Sequence, residues 1–180
     1  MVYTYKQVLE KLKTREEIKK AIESKKLFKL ERGIYADTEV ADPLIIYSLL
    51  YPNAIITMDS ALYFYDLTDV IPDKVYLVTA RGSRVIKNKE INQIFVSKNI
   101  LLNGKVQIEL NGNNINIYDK ERLLVEFIRK KNSIPFDYYK EVINNYRKIA
   151  PELDMYKIDD YLSLYKYDVG IADTLQREVF

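Results

Sequence analysis

Histidine, cysteine and tryptophan are all absent from the 180 residues. Without histidine and cysteine there is no Ser-His-Asp or Cys-His nucleophile and no His/Cys zinc site. Any chemistry must then rest on carboxylates, lysines or tyrosines. The lack of cysteine also excludes disulfides and fits a cytoplasmic setting. No run of 18 apolar residues occurs, so no membrane span is expected. The opening Met1-Val2-Tyr3-Thr4-Tyr5-Lys6 has none of the apolar stretch of a signal peptide, so export is not expected. No internal repeat or low-complexity linker interrupts the chain.

What is present is a chain with 48% apolar residues, enough for one sizeable core plus a small appendage. Its sixteen tyrosines are scattered at helical and strand spacings, which suits packing residues with a polar tip at the surface. The net charge of +2 hides a segregated pattern. Lys and Arg outnumber Asp and Glu by 10 to 5 over residues 1–33 and by 11 to 5 over 81–133. They are outnumbered 1 to 7 over 34–80 and 6 to 9 over 134–180. Such alternation can build a polyanion-binding face or an internal docking surface.

Residues 1–37 read as a small helical unit with a β wing. Tyr5, Val8, Leu9 and Leu12 fall on one face of a first helix. Thr14-Arg15-Glu16-Glu17 has the form of a capping box, with Glu17 reaching back, and starts a second helix buried through Ile18, Ala21 and Ile22. Leu27-Phe28-Lys29-Leu30 and Ile34-Tyr35, joined at Glu31-Arg32-Gly33, predict a two-stranded wing. Helix, turn, helix, wing is the outline of a winged helix-turn-helix, although only two helices fit before the wing where a full one has three. Two readings stand. One is a capping unit whose charges only solvate it. The other is DNA binding through Arg15, Lys19, Lys20, Lys25, Lys26, Lys29 and Arg32, with the second helix at the major groove and the wing on phosphates. All seven suit phosphates, and no Asn or Gln on that helix offers a bidentate adenine contact, so base specificity would be weak or need a homodimer on DNA.

A second domain is expected over 42–180, with the boundary between Ala36 and Asp42. Asp42-Pro43 is an N-cap followed by an N1 proline. Thr57-Met58-Asp59-Ser60 supplies oxygens for a second helix start, and Ala61, Leu62, Phe64, Tyr65 and Leu67 predict a buried helix. Val75 to Val78 follows as an interior strand. Arg81, Arg84, Lys87 and Lys89 form an exposed basic loop, a possible second nucleic-acid patch; Gly82 alone is a poor phosphate signal. Ile94-Phe95-Val96 predicts a strand, Leu101-Leu102 a short further one, and Asn111-Gly112 between alternating runs a hairpin. Asp119, Pro135 and Asp154 open helices, and Ile171, Ala172 and Leu175 suggest a last. The fold class is α+β: the winged unit, then an α/β domain with a four- to five-stranded mixed sheet and a helical C-terminus.

The blocks Thr57, Asp59-Ser60-Ala61-Leu62, Leu67-Thr68-Asp69, Ile71-Pro72-Asp73 and Val75 to Thr79, in that order, resemble the AbiEi family. Arg32-Gly33-Ile34-Tyr35 is similar to that family's wing, and Tyr118-Asp119-Lys120-Glu121-Arg122-Leu123-Leu124 to one of its helix starts. AbiEi proteins are antitoxins of type IV (abortive infection) toxin–antitoxin systems. The resemblance implies an antitoxin that counters a nucleotidyltransferase-like toxin without a stable complex and represses its own operon through the N-terminal unit. It implies no enzymatic activity and no cofactor.

The residues leave two rivals. The N-terminal helices could dock onto a protein partner instead of DNA. Alternatively Asp59, Asp66, Asp69 and Asp73, with Glu109, Asp119 and Glu121, could hold a nuclease metal. No strand shows the acid-x-lysine triplet that such nucleases use, however, since Glu109-Leu110-Asn111 fails at its third position. The aspartates sit where caps and turns need them, so no metal is expected. Glu121 and Arg122 read as a dipole-favoured acid and a structural ion pair with Asp119 or Glu126.

Overall fold

A computed structural model describes residues 1–165 and 169–180. Its elements run β1 (Val2–Thr4), α1 (Tyr5–Leu12), α2 (Arg15–Glu23), β2 (Phe28–Glu31), β3 (Ile34–Ala36), α3 (Pro43–Leu50), β4 (Ile55–Ile56), α4 (Met58–Phe64), β5 (Val75–Ala80), β6 (Ile91–Val96), β7 (Lys105–Leu110), β8 (Asn113–Tyr118), α5 (Lys120–Arg129), α6 (Phe136–Ile149), α7 (Met155–Ser163) and α8 (Val169–Glu178). The fold is α+β, with a three-stranded sheet in the order β1-β3-β2 and a five-stranded mixed sheet in the order β6-β5-β4-β8-β7. By density of contacts the chain divides into two compact units, 1–55 with 107–116, and 56–106 with 117–180.

In the first unit α1 and α2 lead into the β2–β3 hairpin, whose turn glycine Gly33 has φ of 85°. One strand was not foreseen. Val2–Thr4 pairs antiparallel with β3, Val2 opposite Ala36 and Thr4 opposite Ile34. Three residues are too few to show a period of two, so the run carries no strand signal of its own. Tyr35 joins Val8, Ile18 and Leu27 in a small core on the helix side. Val2, Ile34 and Ala36 point the other way and are almost fully buried, and α3 packs against the two strands that carry them. The free edge of β1 is closed by one side chain: Val2 N–H donates to Asn113 Oδ1 (3.1 Å) and Asn113 Nδ2 donates to Val2 O (2.7 Å). That amide stands in for a missing strand.

The capping box expected at Thr14 is only half formed. Thr14 Oγ1 accepts from Glu17 N at 3.2 Å, but the Thr14 N–H donates to Leu12 O rather than to Glu17. A complete box sits one helix earlier, where Thr4 and Gln7 bond reciprocally. The tight two-residue connection after α1 takes the Thr14 N–H and leaves Glu17 nothing to reach for.

In the second unit β5 runs parallel to β6 in register, Val75 opposite Ile91 and Ala80 opposite Val96. Helix α4 begins where expected and buries Ala61 and Leu62, but it ends at Phe64, with Tyr65 as its C-cap and the buried Leu67 beyond it; Phe64 and Tyr65 are half-buried and Tyr63 is exposed. Its start differs from expectation. Thr57 makes no side-chain cap bond, and Ser60 Oγ accepts from Tyr76 N (2.9 Å) and donates to Lys74 O (3.3 Å). The hydroxyl therefore fastens β5 to the core helix instead of capping that helix. The Leu101-Leu102 strand is absent: both residues lie in turns, Leu101 buried and Leu102 exposed. The Asn111-Gly112 turn forms as predicted, both residues at positive φ (49° and 75°), the signature of a type I′ hairpin.

Candidate nucleic-acid interface

Ile18 is the buried anchor of α2; helical spacing turns Lys19 and Lys20 away from it, and Arg15, one turn before Ile18, is exposed at the start of the helix. All seven basic residues singled out in the first unit are exposed. They are not equivalent. Arg15 Nε donates to Tyr5 OH at 3.2 Å, and Lys19 lies 3.8 Å from Glu23 one turn on. Counting Arg15, Lys19 and Lys20 against Glu16, Glu17 and Glu23 leaves α2 with no net charge. The excess lies beyond it: residues 24–33 hold Lys25, Lys26, Lys29 and Arg32 against Glu31 alone. Among the described residues Lys20, Lys25, Lys26, Lys29 and Arg32 have neither an ion pair nor a side-chain hydrogen bond, so their charge is free for a partner.

Lys25 owes its position to a strained turn. Its φ is 55°, its N–H donates to Ile22 O, and the Lys26 N–H donates to Ala21 O. That is a Schellman close to α2 with lysine where glycine is usual, at a cost of about 1 kcal/mol. Lys29 lies opposite Tyr35 in β2–β3, hence on the helix-bearing face of the sheet, and Arg32 sits in the hairpin turn. Turn and wing therefore carry the positive charge, and the helix does not.

The second basic segment is an ordered loop between parallel β5 and β6. Gln93 organises it: Oε1 accepts from Ile86 N (2.7 Å), and Nε2 donates to Thr79 Oγ1 (2.8 Å) and Arg84 O (3.3 Å). Gly82, at φ of 85° and third of the four residues in an Ala80–Ser83 turn, has the position that a type II turn reserves for glycine. Arg81, Arg84, Lys87 and Lys89 are all exposed, and Lys89 lies 3.7 Å from Glu90. Arg81 alone of the four also lines a cleft in the second unit.

Of the seven candidate carboxylates, Asp59, Asp119 and Glu121 serve as structural acceptors, and Asp69 is held through its backbone N–H. Asp59 Oδ1 accepts from Tyr138 OH (3.2 Å), and Asp69 contributes its N–H to Glu141 (3.0 Å). Asp119 Oδ1 caps α5 at Arg122 N (2.8 Å), while its Oδ2 takes Tyr161 OH (2.8 Å) and Lys157 Nζ (3.4 Å). Glu121 Oε1 accepts from Asp154 N (3.1 Å) at the start of α7. Among the described residues no three acidic side chains gather to hold a metal ion. At the sharp β4–α4 junction, where a nucleophile could stand, Met58 occupies the left-handed position (φ 45°).

Arg122 is fully buried and pairs with Glu126 at 2.7 Å, one of the two partners expected for it. Its Nη2 also donates to Tyr165 OH (2.5 Å). Among the described residues Nε and Nη1 have no hydrogen-bond partner; instead the guanidinium carbon lies 5.2, 5.8 and 5.2 Å from the ring centroids of Tyr118, Tyr161 and Tyr165. Aromatic faces thus replace two hydrogen bonds. Burial raises the phenol pKa values of Tyr118, Tyr161 and Tyr165, with Glu126 or Asp119 adding to the effect. Gly104 (φ +79°) lets the chain pass: a Cβ there would stand 2.5 Å from Arg122 Cβ. A glycine chosen by a neighbour distant in sequence leaves no signal in the sequence around it.

No protein-family model matches the chain, and no curated protein matches it. Its fold is similar to that of the RV2827C protein from Mycobacterium tuberculosis, known from a crystal structure. The TM-score is 0.62 at 14% identity, over 91% of this chain and 66% of that one, so this chain spans just under two thirds of that protein's length. The likeness is one of fold.

Proposed function

We propose that the chain is the antitoxin of a type IV, AbiEi-like toxin–antitoxin pair, that it binds the operator DNA of its own operon through the first unit, and that it is not an enzyme. The observation that carries the DNA reading is the set of five exposed, unpaired cations, Lys20, Lys25, Lys26, Lys29 and Arg32. Four of them lie in the turn after α2 and in the wing, and the wing is the part expected on phosphates. Phosphate contact fixes position without reading bases, so operator choice is left to DNA shape or to a homodimer spanning two half-sites. The antitoxin reading rests on the motif order in the sequence, with a nucleotidyltransferase-like toxin as the functional partner and the cytoplasm as its place. Repression and neutralisation divide between the N-terminal unit and the remainder of the chain.

Fluorescence anisotropy with DNA from upstream of the gene and with a scrambled duplex tests the DNA part. Tighter binding to the native duplex, weakened by salt and by Arg32→Ala, supports it. Equal and negligible binding to both sinks it and favours protein docking, a reading that the charge-neutral α2 also suits. The antitoxin part is tested by co-expression: growth restored to cells making the cognate toxin supports it, and no rescue contradicts it.

A further inference from the structure

A cleft of about 430 Å³ opens in the second unit between the ends of β5 and β6 and the end of α5. Because β5 and β6 are parallel, this is the carboxyl end of that strand pair, where open α/β sheets bind ligands. Its walls combine cations with apolar surface. Arg81 follows β5, its N–H donating to Val96 O (2.7 Å); Lys130 follows α5, its N–H donating to Phe127 O (3.0 Å). Both backbones are thus held, and neither side chain has an ion pair among the described residues. The one acid in the lining, Glu126, is already paired with Arg122 (2.7 Å) and Arg129 (3.1 Å). Arg129 itself lies over the Tyr165 ring at 3.4 Å. The cleft is therefore net positive. Ser97 Oγ donates to Asn99 Oδ1 (2.5 Å), which leaves the Asn99 amide N–H groups without a partner among the described residues. Phe95, 37% exposed, gives a flat apolar wall.

We infer that this cleft binds a nucleoside monophosphate group, its phosphate held by Arg81 and Lys130 and its base lying against Phe95. The volume lies within the range of small-ligand sites. Two unpaired cations and an amide match a dianionic phosphate, and an exposed phenyl wall is the sequence-tolerant surface on which a base stacks. The same group can come from a free nucleotide or from the phosphorylated end of a nucleic acid. The site shares no residue with the DNA-binding face of the first unit, so either can fail alone.

Isothermal titration of the whole chain at low salt would use the four ribonucleoside 5′-monophosphates, the four nucleosides and inorganic phosphate. The expected result is saturable 1:1 binding of at least one monophosphate, with its nucleoside and inorganic phosphate each at least tenfold weaker. Arg81→Ala and Lys130→Ala each weaken it at least tenfold, and Lys140→Ala, on the exposed side of α6 and outside the cleft, leaves it unchanged. Thermal melts establish that the variants fold. A 5′-phosphorylated trinucleotide binding more tightly through the same two residues supports the inference with a nucleic-acid end as the source. Absence of saturation by all four monophosphates, phosphate binding as tightly as the nucleotides, or indifference to both substitutions in folded protein overturns it.

Discussion

Lys25, Lys26, Lys29 and Arg32 stand in water on the first unit, whereas Arg122 in the second has no exposed surface. The chemistry is that of a cation in both places, and the environment inverts its role. An exposed cation costs little to keep unpaired and is worth little to stability even when paired, so its charge is available to a partner. A buried one has left its water behind and must be repaid by Glu126, Tyr165 and three aromatic faces. Position, then, separates the cations available to a partner from the one that holds the fold.

The largest test of that contrast is Arg122→Ala. It leaves Glu126 buried beside a cavity, and urea denaturation should show a loss of about 3–5 kcal/mol. Replacing both partners, Arg122→Met with Glu126→Met, should recover at least half of the loss, because no charge then remains stranded. Next comes Gly104→Ala. The new Cβ collides with Arg122 and holds a left-handed φ, for a loss of about 2–3 kcal/mol in the same titration.

Alkali should act on the same region. Burial holds the Tyr146 and Tyr118 phenols protonated above their ordinary range. The unfolded chain ionises first as pH rises past about 10, so the stability contributed by the neutral phenols is intact below that value and falls above it. Tyr146, fully buried, accounts by itself for about 1.4 kcal/mol per pH unit there; a melting temperature unchanged between pH 9 and 11 would contradict this. The smallest effect is the most discriminating. Lys25→Gly relieves the left-handed turn and should raise stability by about 0.5–1 kcal/mol while weakening DNA binding.

Local signals were the legible ones. Asp42-Pro43, Asp119 and Asp154 each cap the helix expected, and Asn111-Gly112 turns the hairpin, because capping and turn chemistry act within four residues. Residues whose roles depend on distant neighbours were misread. Ser60 looked like a helix cap and serves β5 instead; Val2–Thr4 became a strand only because β3 arrives beside it. The candidate cations could be named from sequence, but which of them are unpaired emerges only from the contacts, such as Lys19 with Glu23 and Arg15 with Tyr5. Arg81, grouped with its loop by sequence, shares a cleft with Lys130, 49 residues away.

The measurement closest to the central claim is the salt dependence of operator binding for two variants. One is Lys25→Ala/Lys26→Ala/Lys29→Ala/Arg32→Ala, and the other Arg15→Ala/Lys19→Ala/Lys20→Ala. If turn and wing hold the phosphates, the first variant lowers the slope of log K against log salt by about 3–4, at 0.9 per lost contact, with folding stability unchanged within about 0.5 kcal/mol. The helix variant lowers it by about 1, the share of Lys20. Equal slopes for both variants and the wild type would contradict the account.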